Sequence, residues 1–182
     1  MLSFSQFLLQ EKVLSIGINP EQEHLREKHR KEIFDILKSS YSKIGGYSSL
    51  GHNPEEEHKA IHADISNSMI KAVRRNGKIV AASLYRDQHG RKTIALGTDG
   101  SAEGKVAIKK IMDEDNKQKR SWGEVSGAAK HLQTKMGFPR ISSELASTLI
   151  HKPHTVVGPH SIERTIGGTE YIKTLMGHPK IK

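Results

Sequence analysis

The chain has no cysteine, so disulfides, thiol catalysis and zinc–thiolate sites are excluded. It has no apolar run approaching the roughly 18 residues of a membrane span. Internal repeats and low-complexity linkers are also missing. The opening, Met1 to Gln10, lacks a basic stretch and a small-residue cleavage site, and reads poorly as a signal peptide. Phe4, Phe7 and Leu8 stand there at helical spacing, so residues 1–12 are expected to form a docking helix. Together these absences lead to the expectation of a cytoplasmic protein with no membrane attachment.

What is present is a polar chain with regularly spaced apolar residues. Its 182 residues are most simply one domain, long enough to bury a real core. The hydrophobic share is 35% and the mean hydropathy −0.57, and the regular spacing argues against disorder. The net charge of +9 and pI ≈ 9.7 favour a polyanionic partner or a phosphate-bearing cofactor. A soluble protein that is merely basic is an equal reading. The charge is spread over several clusters: Arg74, Arg75 and Lys78; Lys105, Lys109 and Lys110; Lys117, Lys119 and Arg120. The last cluster can also complement a helix dipole at its C-terminus.

The order of elements is legible along much of the chain. Val13 to Ile18 reads as a strand stopped by Asn19-Pro20, and Glu21 to Lys38 as an amphipathic helix carrying Leu25, Ile33, Ile36 and Leu37. Pro54 with Glu55, Glu56 and Glu57 opens a second helix, with Asn53 as its N-cap, fading near Asp64 to Ser68. Met69 to Arg75 and Lys78 to Arg86 flank Asn76-Gly77, the strongest short hairpin signal available. Ile79 to Leu84 is apolar on both faces and is expected to be covered on both sides. A turn at Asp87 to Gly90 leads into a third strand, Arg91 to Thr98.

Gly100 and Gly104 then precede a helix from about Lys105 to Lys119, with Ala107, Ile108, Ile111 and Met112 on one face. Ser121 to Ser126 reads as a strand, and Gly127 to Met136 as a short helix closed by Gly137-Phe138. A helix over Ser143 to His151 follows, with Leu145, Leu149 and Ile150 inward. Short extended stretches at Thr155 to Val157 and Ser161 to Ile166 come next, then a small helix over Thr169 to Met176.

This order of hairpin, third strand, glycine turn, helix, strand, helix and Gly-Phe resembles the central part of GNAT-type N-acetyltransferases. The resemblance covers residues 69 to 141, with 142–182 as a C-terminal extension. It implies an α/β (α+β) fold, a mixed, mostly antiparallel sheet flanked by helices on both faces. It also implies acetyl-CoA, or another acyl-CoA, held where the third strand of the meander and the next parallel strand part. Its pyrophosphate would lie at the N-terminus of the following helix, where unpaired N–H groups and the dipole meet negative charge. Here that stretch is Leu96, Gly97, Thr98, Gly100, Ser101, Ala102, Gly104 and Lys105. In the glycine turn Gly97 stands where the family begins with Gln or Arg. Ala129, Leu132 and Gly137-Phe138 are in step with the family's later helix, whereas Ser126 replaces its usual Asn and Gln133 its usual Tyr. That Tyr commonly protonates the departing thiolate, which glutamine cannot do.

Three residues are singled out for chemistry. Glu124, on the strand before the Gly127 helix, is the candidate general base for an amine, because a partly dry cleft raises a carboxylate pKa toward working pH. A solvent-facing or Arg-paired Glu124 is the plainer alternative. Tyr85 is a candidate proton donor, or simply packed, and Ser126 completes the catalytic set. Asp99 is a second possible base with a turn-capping role at least as plausible. Trp122 could wall the acceptor site or be buried core. His58 and His62 share a helix face, but Lys59 stands where the zinc-protease motif needs Glu, so no metal is expected. Gly100 to Lys105 has its glycines one residue too close for a phosphate loop of a nucleotide hydrolase, and Val106 replaces the Ser or Thr.

Two functions follow as expectations. One is acyl transfer from CoA to an amine, with a nucleic-acid-linked acceptor such as a modified DNA base or a charged tRNA. The other is a catalytically inactive scaffold of the same fold that binds nucleic acid; the Phe/Leu-rich opening resembles those of many tailed-bacteriophage proteins.

Overall fold

The computed structural model describes residues 12–42, 54–87, 91–118, 121–125, 134, 140–150, 153–166 and 169–177. Strand β1 is Lys12–Ile16, followed by a short 3-10 turn at Pro20–Gln22 and the long helix α1, Glu23–Ser42. Helix α2 is Pro54–Ser66, and the meander consists of β2 (Met69–Arg75), β3 (Lys78–Asp87) and β4 (Arg91–Thr98). Then come α3 (Ala102–Gln118), β5 (Ser121–Val125), α4 (Ser143–Leu149), β6 (Thr155–Gly158), β7 (Ser161–Ile166) and β8 (Thr169–Gly177).

These strands form one sheet in the order β1-β2-β3-β4-β5-β8-β7-β6. Every neighbouring pair is antiparallel except β4 and β5, which run parallel. The Asn76-Gly77 turn has φ of 49° and 81°, the two positive angles a type I′ hairpin requires. Strand β3 is buried from Ile79 to Tyr85, as its two-sided apolar pattern predicts.

Helices cover both faces. On one, Ile33, Phe34, Ile36 and Leu37 of α1 and Ile61 and Ile65 of α2 pack on Ile70, Ala72, Ala82, Leu84 and Ala95. On the other, Ala107, Ile108 and Ile111 of α3 pack on Val73, Val80 and Ala81. The alternation of a strand's side chains divides the core in this way.

One element differs in kind from its expectation. Thr169 to Met176 is not a helix but the strand β8, paired with β7 on one edge and β5 on the other. Tyr171, Ile172, Leu175 and Met176 repeat at helix-compatible intervals, yet two open strand edges supply the backbone partners that decide the matter. The expected docking helix at 1–12 lies outside the described residues, except that Lys12 opens β1. So do Asn53, most of the Asp87 to Gly90 turn and, apart from the helical Thr134, the Gly127–Phe138 segment.

Candidate functional site at the open edge of strand β4

The two edges of β4 are paired very differently. Toward β3 the ladder runs from Asp87↔Arg91 to Ala81↔Thr98. Its register slips between Leu84 and Tyr85, so Ile94 is an extra residue on β4. Toward β5 there are two pairs, Arg91↔Ser121 and Lys92↔Trp122, and the ladder stops. On its other edge β5 stays paired with β8 from Trp122 to Val125. Among the described residues, β4 from Thr93 to Thr98 therefore has no strand beside its second edge.

That edge is not bare. The N–H of Leu96 donates to Tyr41 Oη at 3.2 Å, and the N–H of Thr98 donates to Ser40 Oγ at 2.9 Å. The Ser40 hydroxyl in turn donates to the Thr98 carbonyl at 3.0 Å. Both side chains come from the last turn of α1, which crosses β4 at Gly97. A Cβ at Gly97 would lie 2.9 Å from Ile36 Cγ2 and 3.2 Å from both the Ile36 carbonyl and Leu37 Cα. Any larger residue would lift the helix off the strand. Burial around the Tyr41 hydroxyl pushes its pKa up, so it stays a phenol.

The turn after β4 is held by its own side chains. Asp99 Oδ1 accepts from the Ser101 N–H at 3.0 Å and the Ser101 hydroxyl at 2.6 Å. Ser101 Oγ accepts from the Gly104 N–H at 2.9 Å, the bond of a serine N-cap on α3. The Gly100 N–H donates to Thr98 Oγ1 at 3.1 Å, and Gly100 has φ 87°. The Asp99 N–H reaches the carbonyl of Val80 at 3.0 Å, where β3 carries its own extra residue against β2. Gly104 must remain glycine, because a Cβ there would lie 2.3 Å from Asp99 Oδ1 and 2.8 Å from the Val80 carbonyl. Asp99 thus takes the capping role that its position in the turn allowed.

The sequence candidates fall into three groups. Leu96, Gly97, Thr98, Gly100, Ser101, Ala102, Gly104 and Lys105 lie together, running up the open edge of β4 and into α3, with Glu103 and Lys105 exposed. Tyr85 is buried on β3, opposite Met69 and Thr93, one strand in from the open edge. Glu124 is on β5 opposite Leu175 of β8, with its side chain outside the described residues, as is Trp122's; Ser126 lies outside them altogether. Nothing in the sequence marked Ser40 and Tyr41, which lie 58 and 55 residues from their partners.

Residues of an acyl-CoA site fit here in their backbone frame: an interrupted parallel ladder, then a glycine turn that opens a helix. Lys105, Lys109 and Lys110 are exposed on that helix, where phosphates would find counter-charge. Several of the frame's hydrogen-bond donors, however, are already engaged with Tyr41, Ser40, Asp99, Ser101 and Thr98.

A second cluster lies between α1 and α2. Phe34, His58 and His62 meet with ring centroids 4.6 Å apart in each pairing. They line a groove of about 430 Å³ with Glu27, Arg30, Lys31 and Asp35. Burial lowers the His62 pKa, and the nearby His58 and Arg30 lower it further. Among the described residues no group of three or more His, Asp or Glu side chains could hold a metal ion, and no helix is long and apolar enough to cross a membrane.

No protein-family model matches the chain, and a comparison with curated proteins finds no match. Solved structures do match. GCN5 from Tetrahymena is 13% identical, with 92% of this chain covering 94% of that one at a TM-score of 0.56. A probable GNAT-family acetyltransferase from Chromobacterium violaceum is 7% identical, covering 92% and 86% at 0.54. The ribosomal-protein-S18-alanine N-acetyltransferase from Escherichia coli is 15% identical, covering 93% of each chain at 0.51. Likeness across nearly the whole length, at identities this low, is a statement about architecture. The chain has the GNAT fold, a mixed and mostly antiparallel sheet with helices on both faces.

Proposed function

We propose that residues 1–182 form one domain that transfers an acetyl or similar group from a CoA thioester to an amine. The observation that supports this best is the β4–β5 ladder that stops after Lys92↔Trp122, because it opens a strand edge beside the N-terminus of α3. In this reading the open edge of β4, at Leu96, Gly97 and Thr98, orients the thioester arm. Gly100, Ser101, Ala102, Gly104 and Lys105 hold the phosphate end. When bound, the thioester supplies an activated acyl carbon for attack by nitrogen. The chain's own work is placement of the amine beside that carbon and exclusion of water. Glu124 would accept the amine proton, Tyr85 is the candidate donor toward the leaving thiolate, and Ser126 completes the polar set. The charge of +9 supports an acceptor carried on nucleic acid, such as a modified DNA base or a charged tRNA, and a cytoplasmic setting belongs to the same proposal. Calorimetric titration of the full chain with acetyl-CoA tests the reading. Saturable binding is expected, and no heat of binding at millimolar ligand would sink it.

A second reading is a non-catalytic scaffold of the same fold, virion-associated or otherwise nucleic-acid-binding. The engagement of Ser101's amide by the Asp99 carboxylate, on the N-terminus meant for phosphate, favours it. It predicts salt-sensitive retention of duplex DNA or RNA in a gel shift, with no CoA uptake.

A further inference from the structure

The open edge of β4 presents two donors and two acceptors, the N–H and C=O groups of Leu96 and of Thr98. These are the groups a continued parallel ladder would have used. An extended ligand bearing amides would use them too, since a strand edge binds such ligands by main-chain hydrogen bonds. Leu96 N–H and both Thr98 groups are engaged by α1, through Tyr41 Oη at 3.2 Å and Ser40 Oγ at 2.9 and 3.0 Å. One amide hydrogen cannot serve a phenol and a ligand carbonyl at full strength together.

We propose that the last turn of α1 is a built-in occupant of the β4 edge, and that a CoA thioester enters by displacing Ser40 and Tyr41. This rests on the acyl-CoA reading above. The helix is constructed for such an exchange. Its fully buried apolar anchors end at Ile36 and Leu37, 7% and 0% exposed, where the backbone presses on Gly97, and beyond them Tyr41 rests only partly buried against the same core. Beyond them Lys38, Ser39 and Ser42 are exposed, and Ser40 and Tyr41 are half-buried. The terminal turn of a helix also carries carbonyls without intrahelical partners and is where opening is least costly. The contact is thus terminal, made by two hydroxyls and one partly buried ring, while the fully buried apolar body of α1 stays seated.

The exchange has a definite sense. A strand N–H left without a partner and away from water is costly, so Tyr41 and Ser40 leave when something else takes their place. Tyr41 remains protonated because burial raises its pKa, so it contributes a neutral hydroxyl across the ordinary pH range. Binding is then a competition. The affinity for CoA is set by the difference between two sets of hydrogen bonds on the same strand edge.

The test uses the full chain, titrated calorimetrically with CoA as wild type, S40A, Y41F and the double variant. Amide exchange is followed at Leu96 and Thr98 in each. The unliganded wild type should protect both amides, and the double variant should lose that protection while keeping its fold. Removing the competing hydroxyls should tighten CoA binding about tenfold, with smaller gains in the single variants. A folded double variant that binds CoA no more tightly than the wild type overturns the inference and leaves the acyl-CoA reading standing. Absence of CoA binding in every variant overturns both.

Discussion

The two ends of α1 are held in opposite ways. Near its start, Arg26 is fully buried and its guanidinium donates to the carbonyls of Ile65 at 2.7 Å, Ser66, Ser68 at 3.4 Å and Gly17, with Glu23 at 3.3 Å. One charged group thereby ties the end of α2 and the chain after β1 to α1. At its finish, two half-buried neutral hydroxyls reach the edge of β4. Charge-assisted bonds in a dry setting are roughly twice as strong as neutral ones, and breaking them strands a buried charge. The lesson is that one helix can be an anchor at one end and a releasable contact at the other.

The comparison is broken most directly at the anchor. Arg26→Ala leaves the α2 carbonyls and the Gly17 carbonyl without their donor, and should lower stability by about 3 kcal/mol or more. Denaturant unfolding measures it, and a loss below about 1 kcal/mol would refute the anchor role.

A mid-sized effect is expected beneath the far end. Gly97→Ala pushes a methyl against Ile36 and the Leu37 backbone, and should cost about 1–3 kcal/mol. It should also speed exchange at the Leu96 and Thr98 amides while leaving α2 untouched. Uniform loosening across both helices would show that the ends are not independent.

The smallest effect comes from acid. His29, one turn beyond Arg26, is 3% exposed, and desolvation lowers its pKa below the ordinary 6.5 despite Glu32 at 3.8 Å. In the window just below pH 6.5 the unfolded chain therefore binds more protons than the folded one. Stability from this group is complete above that value and declines as the pH falls through the window. His62, lowered for the same first reason, acts in the same direction. Unfolding curves at about pH 7.5 and about pH 5.5 should show the decline, and His29→Asn should flatten it. A wild-type curve that does not change between them would contradict the shift.

Local signals carried much of the architecture. Asn76-Gly77 marked its hairpin because two positive φ angles are a property of the dipeptide itself. Ala107, Ile108, Ile111 and Met112 marked the buried face of α3 because helical spacing brings them together whatever lies opposite. The strand from Arg91 to Thr98 was legible in the same way, whereas α3 begins at Ala102, ahead of the expected Lys105. Thr169 to Met176 was not legible, because its spacing suits a helix and its two strand partners lie elsewhere in the chain. Ser40 and Tyr41 were equally silent, since a serine and a tyrosine at a helix end look like ordinary surface residues.

By itself, then, the sequence determined the charge and most of the described succession of elements up to β7, because both depend on neighbours a few residues apart. Tertiary structure decided where the parallel ladder stops, and that α1 fills the edge left open. The first depends on strand pairs such as Arg91↔Ser121 and the second on hydrogen bonds 55 and 58 residues apart, and no local pattern records which distant hydroxyl meets an unpaired amide.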